Sequence, residues 1–481
     1  MTENDQRNRG YLWVLALALA LPMALSGCAF SVQNAPLNAV ARLDGPSPPR
    51  DIMGPSAIAV SLSGGGTRAA AFGYGVLKGL EAASLPGDDL VDDITFMSSV
   101  SGGSLLAAHY GLHGRASLQS FRPQVLDRNM EQGMQFSAFK PDNIARFIQG
   151  GLNDRRHLSD YLDDTIFKKA TFADIWRQRK PDVWINATDL YNRIPFPFIP
   201  PVFAAVCSDL ASFPVAEAVS ASMAVPVVFA PVVLRTYPDH CNEPLARWVE
   251  PARKDPGASK LLADTARGLA KYRTPSEQRF IKLVDGGVTD NFGLSSLLIS
   301  RAVATTAHGP LSRTDAIRMR RMLFLVVDAG RGVSGDWALD ADGPSGFDVA
   351  AAATDTAIDA SARLSFESFL RVMQDWQRSL ISYRCSLPRA EVQVVVGATA
   401  GPDAGPDTWR CNDVHMDVGL VSFSGLGEAR EAALNAIPTS LQLPAPSIDL
   451  LLQAGVDAVQ RNPAFVAYQR RGRLTPGLSL P

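Results

Sequence analysis

Three short apolar runs in this chain each empty into a turn of small residues, and two lead on into helix-like segments. The first is Ala57 to Ser63 (AIAVSLS), followed by Gly64, Gly65, Gly66, Thr67 and Arg68 and then AAAFGYGVLKGLE. The second is Asp93 to Val100 (DITFMSSV), followed by Ser101, Gly102, Gly103 and Ser104. The third is Phe280 to Val284 (FIKLV), followed by Asp285, Gly286, Gly287, Val288, Thr289, Asp290 and Asn291. Apolar runs without polar alternation read as strands buried on both faces. Strand, turn and helix in that order constrain the chain to an α/β fold with a largely parallel sheet. In such sheets, sites form outside the carboxyl ends of the strands, where these turns fall.

Later segments extend the pattern. Met322 to Asp328 (MLFLVVD) and Val392 to Val396 (VQVVV) read as further buried strands, and Ala350 to Ser382 as a helix. No second catalytic signature follows residue 300, so 301–481 reads as an extension of the same α/β domain. The expected architecture is three layers, α/β/α. Apolar residues make up 46% of the 481 and charged ones 20%, which excludes a disordered or fibrous chain. The formal charge of −2 gives no reason to expect nucleic acid.

The chemistry of each turn is ambiguous by itself. Three glycines before a helix let backbone N–H groups converge on negative charge, as in a phosphate cradle or an oxyanion hole. A Walker loop would need G-x-x-x-x-G-K-[ST], which is absent. Ser99-Val100-Ser101-Gly102-Gly103 matches the nucleophile elbow G-x-S-x-G except at its first position. Asp285 before two glycines could equally be a simple turn.

In combination, GGGTR, then S-x-S-G-G, then DGG resembles the patatin-like phospholipase family. The segments Ser220 to Val232 (SASMAVPVVFAPV) and Asn186 to Leu190 (NATDL) resemble further stretches of that family, and the resemblance covers roughly 56–300. It implies a serine carboxylic-ester hydrolase with a Ser-Asp dyad. Ser101 would be the nucleophile and Asp285 the general base, with Gly64, Gly65 and Gly66 at the oxyanion hole. Gly103, Gly286 and Gly287 would support the turns, and Arg68 stands where the family carries a basic residue. Arg68 is expected to balance charge near Asp285, to meet a lipid phosphate, or to make a local salt bridge on a helix surface. No cofactor or metal is required. Partial burial would raise the Asp285 pKa and make it a better base. A Ser-His-Asp triad is the lesser reading, since His308 and His415 follow Asp285 but neither sits in a glycine-bounded loop after a strand. Ser424, in SFSGLG, is an elbow-like decoy.

Tyr11 to Leu25 (YLWVLALALALPMAL) is an uncharged apolar run of 15 residues preceded by Arg7 and Arg9. A spanning helix needs about 20 such residues, so the run suits a signal-peptide core. Leu25-Ser26-Gly27-Cys28 resembles the lipobox of bacterial lipoproteins, which implies cleavage after Gly27 and a lipidated Cys28. Each buried CH₂ of an acyl chain contributes about 0.8 kcal/mol to membrane attachment. By the same resemblance, Ala29 after the cysteine implies the outer membrane, with the domain facing the periplasm. The expected organisation is a signal peptide at 1–27, a lipidated, proline-rich tether at 28–55, a catalytic core at 56–300 and the extension at 301–481.

Cys207, Cys241, Cys385 and Cys411 are an even set in an oxidising compartment, so two disulfides are expected. Three pairings are possible, and proximity favours Cys207–Cys241 and Cys385–Cys411. The segment 116–180 carries Phe121, Met130, Met134, Phe136, Phe139 and Phe147 and reads as a lid or as an ordinary core layer. Ile194 to Val206 (IPFPFIPPVFAAV) reads as an acyl pocket, a membrane contact or a buried stretch. The partner expected is a phospholipid or another acyl-ester lipid. The competing readings are a non-catalytic lipid-binding or scaffolding lipoprotein, and a hydrolase of non-lipid esters or peptides.

Overall fold

The computed structural model describes residues 34–35, 53–132, 151–153, 155–241, 244–332, 341, 346–397 and 409–474. The apolar run at 11–25, Cys28 and most of the 28–55 stretch lie outside them. So do Met134, Phe136, Phe139 and Phe147. Asn34 to Pro481 forms one unit.

Eight strands build the main sheet: β1 (Ser56–Leu62), β2 (Ile94–Val100), β3 (Asp182–Asp189), β4 (Ile194–Pro197), β5 (Val232–Arg235), β6 (Phe280–Asp285), β7 (Arg321–Val327) and β8 (His415–Val421). Their order is β8-β7-β1-β2-β3-β6-β5, with β4 also paired to β3. The five strands from β8 to β3 run parallel, and β4, β5 and β6 add antiparallel pairs. The fold is therefore mixed α/β with a mostly parallel centre. The C-terminal strands β7 and β8 lie beside β1 in this sheet.

Period-two alternation divides β1 and β7 between two cores. Ile58, Val60 and Leu62 share one core with Leu323, Leu325 and Val327. Ala57, Ala59, Met322, Phe324 and Val326 share the other. The first core is covered by α1 (Gly66–Ala83), α2 (Gly102–His113), α3 (Val215–Ser222) and, further along the chain, α7 (Ala445–Arg461). α1 and α7 approach so closely that a side chain on Gly75 would strike the Leu452 carbonyl. The second core lies beneath α4 (Ser295–Ala302) and α5 (Gly346–Cys385), a helix of 40 residues.

One expectation is overturned and two are narrowed. Val392 to Val396 is helical, inside α6 (Arg389–Gly397). Val392 and Val396, one helical turn apart, pack with Ile317, while Val394 between them is 73% exposed. A short β-branched run has no period long enough to separate strand from buried helix. Ile194 to Val206 is no membrane surface: it forms β4 and the helix Pro200–Val206, and Phe196, Phe198 and Phe203 are buried against each other. Within the stretch 28–55, read from sequence as a tether, Asn34 is pinned to the domain, since its side chain exchanges two hydrogen bonds with the Arg235 backbone at 2.9 and 2.8 Å. Phe121 and Met130 are fully buried core residues.

Cys207 is bonded to Cys241 and Cys385 to Cys411. Among the described residues, no helix is long and apolar enough to cross a membrane.

Candidate active site

The β2–α2 turn is a single residue. Ser101 takes φ 49° and ψ −125°, outside the regions open to L-residues, which typically costs about 1–3 kcal/mol. Several contacts hold it there. Its N–H donates to Ser222 Oγ at 2.8 Å, and Ser222 Oγ in turn donates to the Asn186 carbonyl at 2.6 Å. Gly102 lies against the Gly66 carbonyl, and a side chain on Gly103 would come within 2.7 Å of the Leu62 carbonyl. Bulk at either position would push the turn away from the β1–α1 junction.

Asp285 ends β6, the strand antiparallel to β3. Its N–H donates to the Ala224 carbonyl at 2.9 Å, and Thr188 Oγ1 donates to its carbonyl at 2.9 Å. The segments Ser220 to Val232 and Asn186 to Leu190 thus fix its backbone. Its carboxylate accepts from Ser101 Oγ at 2.6 Å through Oδ2 and from the Gly287 N–H at 2.8 Å through Oδ1. Burial pushes its pKa up to about 6 against the pull of these two bonds. A carboxylate with such a pKa is ionised at neutral pH and retains more basicity than one in water.

The glycine loop lies against the elbow. A side chain on Gly64 would come within 3.2 Å of Ser101 Cβ. Gly65 and Gly66 take φ 136° and 61°, so both need glycine. The Gly64 N–H donates to Asn291, at 3.3 Å to its carbonyl and 3.2 Å to Oδ1. It is therefore engaged, which removes Gly64 from the expected donors. Gly65 and Gly66 stand at the start of α1, where N–H groups have no intrahelical acceptor.

Arg68 occupies none of its expected places. It is buried in α1, with Nε donating to the Ala329 carbonyl at 3.0 Å and a terminal nitrogen to the Ile437 carbonyl at 2.9 Å. It ties the loops after β7 and around residue 437 to the glycine turn. Thr67 adds to that tie by donating its N–H to the Ser440 carbonyl at 2.8 Å.

The remaining candidates lie apart. His308 Nδ1 is bonded to the Leu311 carbonyl at 2.8 Å, and its ring meets Tyr383. His415 starts β8 in register with Arg321, at the opposite end of the strands from Ser101. Ser424 bonds Ser422 at 2.8 Å.

Beneath the elbow lies a polar network that motif reading did not single out. Asn186 Nδ2 donates to Ser98 Oγ and the Ser99 carbonyl, both at 3.0 Å, and its Oδ1 accepts from Ser296 Oγ at 2.9 Å. Ser99, at the position where an elbow usually has glycine, is buried and donates to the Trp184 carbonyl at 3.2 Å. Asn186 and Ser222 sat inside the two secondary stretches, but nothing in those stretches marked them as supports of Ser101.

A buried serine–carboxylate pair beside a glycine loop, at the carboxyl ends of a mostly parallel sheet, defines a class of α/β fold. Residues 60–298 match the family model described as patatin-like phospholipase, and the chain carries a domain of that family. Solved structures with similarity include human GIVD cytosolic phospholipase A2, at 14% identity and a TM-score of 0.30 over 56% of this chain and 45% of that one. Its complex with methyl gamma-linolenyl fluorophosphonate matches at 12% identity and 0.35, over 87% and 59%. VipD from Legionella pneumophila matches at 12% and 0.33, over 86% and 67%. The chain spans under half the length of the first of these. No curated protein sequence matches this one.

Proposed function

We propose that this protein is a lipid acyl hydrolase of the phospholipase A or esterase type, working through a Ser101–Asp285 dyad. The observation that carries the reading is the 2.6 Å bond between Ser101 Oγ and Asp285 Oδ2 at a strained elbow. Asp285 takes the Ser101 proton as Oγ attacks the ester carbonyl. The carbonyl oxygen becomes an oxyanion and accepts from the Gly65 and Gly66 N–H groups. Asp285 then gives the proton to the leaving alkoxide, and an acyl-serine remains. Water, deprotonated by the same carboxylate, releases the fatty acid and restores Ser101. The family match over residues 60–298 supports a lipid ester as substrate.

We also propose that Cys28 is lipidated and holds the domain on the outer membrane, facing the periplasm. The Leu25-Ser26-Gly27-Cys28 sequence supports this reading. Metabolic labelling with palmitate is expected to mark the wild type and not Cys28→Ser.

The test of the activity is fatty-acid release from phospholipid vesicles. Wild-type protein is expected to release fatty acid, and folded Ser101→Ala to release none. Equal release by both contradicts the nucleophile. Soluble esters cleaved while vesicles stay intact contradict the lipid substrate.

A further inference from the structure

At the other end of the sheet, a cavity of about 530 Å³ lies between β2, β3 and β7 on one side and α4 and α5 on the other. That volume is within the roughly 300–1,000 Å³ of small-molecule sites. Its walls are mostly apolar, with Phe96 against Trp184 at 5.0 Å and Phe324 against Phe369 at 4.5 Å. Met53, Met322 and Met373 line it as well, and unbranched thioethers adapt to a flexible guest. Ser101 and Asp285 do not border it.

Five polar side chains break this lining: Thr95, Asp182, Arg301, Ser312 and Asp315. Thr95 is the extra residue of a β-bulge: Ile58 pairs with Ile94 and Ala59 with Phe96, and Thr95 is passed over. It is 2% exposed, and its hydroxyl has no hydrogen-bond partner among the described residues. Leaving such a group unsatisfied typically costs about 1–3 kcal/mol, so it calls for a guest atom. Asp182 accepts from Trp184 Nε1 at 3.0 Å, and burial pushes its carboxyl up to about 6. Arg301 lies 6.0 Å from the Trp376 ring, donates one terminal nitrogen to the Thr306 carbonyl at 3.5 Å and makes no ion pair among the described residues. The other charged group in the lining, Asp315, is engaged by the Met53 N–H at 3.1 Å and by Ser312 Oγ at 2.9 Å.

This set selects among guests. A purely alkyl molecule leaves Thr95 unpaired. A fatty carboxylate faces two carboxyl groups, Asp182 and Asp315, and only one guanidinium. A neutral head with both a hydroxyl and an ester carbonyl suits this set: the hydroxyl donates to the remaining acceptor capacity of Asp182, the carbonyl accepts from a further N–H of Arg301, and the unpartnered Thr95 hydroxyl can pair with either. The apolar walls then take the chain.

We propose that this cavity is a second lipid site, which holds one neutral single-chain amphiphile of the monoacylglycerol class with its head at Thr95, Asp182 and Arg301. The proposal does not rest on the dyad, and the experiment keeps the two apart by working in full-length Ser101→Ala. Radiolabelled monooleoylglycerol, below its micellar concentration, is expected to bind with one equivalent per chain. Met373→Trp fills the cavity and is expected to abolish that binding. Thr95→Val, which keeps the shape and removes the hydroxyl, is expected to weaken it about five- to tenfold. Near-UV circular dichroism confirms that each variant is folded, and Thr95→Val carries the test if Met373→Trp does not fold. Oleate is expected to compete at least tenfold more weakly than monooleoylglycerol. No binding, or binding unchanged in the variants, overturns the site. Equal competition by oleate overturns the neutral head.

Discussion

The two strand-to-helix junctions, β1–α1 and β2–α2, solve one problem in two ways. Both turn a buried strand into a helix within a few residues, and both need a positive φ. At β1–α1 that conformation falls on Gly65 and Gly66, which adopt it without strain. At β2–α2 it falls on Ser101, which does not. The two turns touch, with Gly102 on the Gly66 carbonyl and Gly64 near Ser101 Cβ. Glycine serves where the chain needs only N–H groups at a given place. Where it needs a hydroxyl at that place, the strain is accepted and the surroundings are built to hold it.

The largest effect expected comes from removing that hydroxyl. Ser101→Ala and Ser101→Gly should both lose at least about 10³-fold in vesicle hydrolysis. They should differ in stability, because alanine keeps the strained φ and glycine relieves it. Urea unfolding is expected to find Ser101→Gly more stable than Ser101→Ala by about 1 kcal/mol. Equal midpoints would show that the elbow is not strained.

Next comes Gly66→Ala. Its Cβ would meet the Ser440 carbonyl at a φ of 61°. The N–H groups should shift, and kcat should fall by about 10²-fold with a smaller change in KM. Unchanged kcat would separate the glycine loop from the chemistry.

Asp285→Asn tests the dyad through stability. The folded protein keeps the Asp285 proton up to about pH 6, whereas an aspartate carboxyl in the unfolded chain, with its ordinary pKa of 3.8, loses it earlier. Wild-type stability from this group is therefore full below 3.8 and is lost as pH rises through about 6. The amide never ionises, so at pH 8 Asp285→Asn should be inactive yet more stable than wild type, by on the order of 1–3 kcal/mol. The gain should shrink as pH falls through about 6 and vanish only below 3.8. A gain independent of pH would contradict the buried charge.

The smallest effect expected is that of Ser99→Gly, which restores the usual elbow glycine. It removes the bonds to the Trp184 carbonyl and Ser104 Oγ. Stability should fall by about 1 kcal/mol, with activity within a few-fold of wild type. A large rise in activity would show that Ser99 handicaps the turn.

These junctions also show what a sequence displays and what it withholds. Ser101, Asp285 and the glycines stand out because their backbones demand small residues at fixed spacing beside apolar strands. β1 and β7 stand out because both their faces are buried, so each is continuously apolar. Ser222 and Asn186 do not stand out, because their roles rest on hydrogen bonds across 121 and 88 residues of chain. Arg68 was visible as a basic residue by the glycine turn. Its partners are backbone carbonyls 261 and 369 residues away, and these carry no side-chain signature. Val392 to Val396 reads as a strand but forms a helix, because five residues cannot show a helical period. Gly64 looks like its neighbours in sequence because nothing local shows that Asn291 takes its N–H.

The most direct measurement is active-site labelling with a long-chain alkyl fluorophosphonate across pH, read by peptide mass spectrometry. The expected result is one phosphonylated residue, Ser101, with a labelling rate that rises about tenfold per pH unit below about 6 and levels off above it. Ser101→Ala should take no label, and Asp285→Asn should react at least about 10²-fold more slowly. Label on Ser424 or another serine, or a rate on Ser101 that ignores pH through this range, would contradict the Ser101–Asp285 dyad.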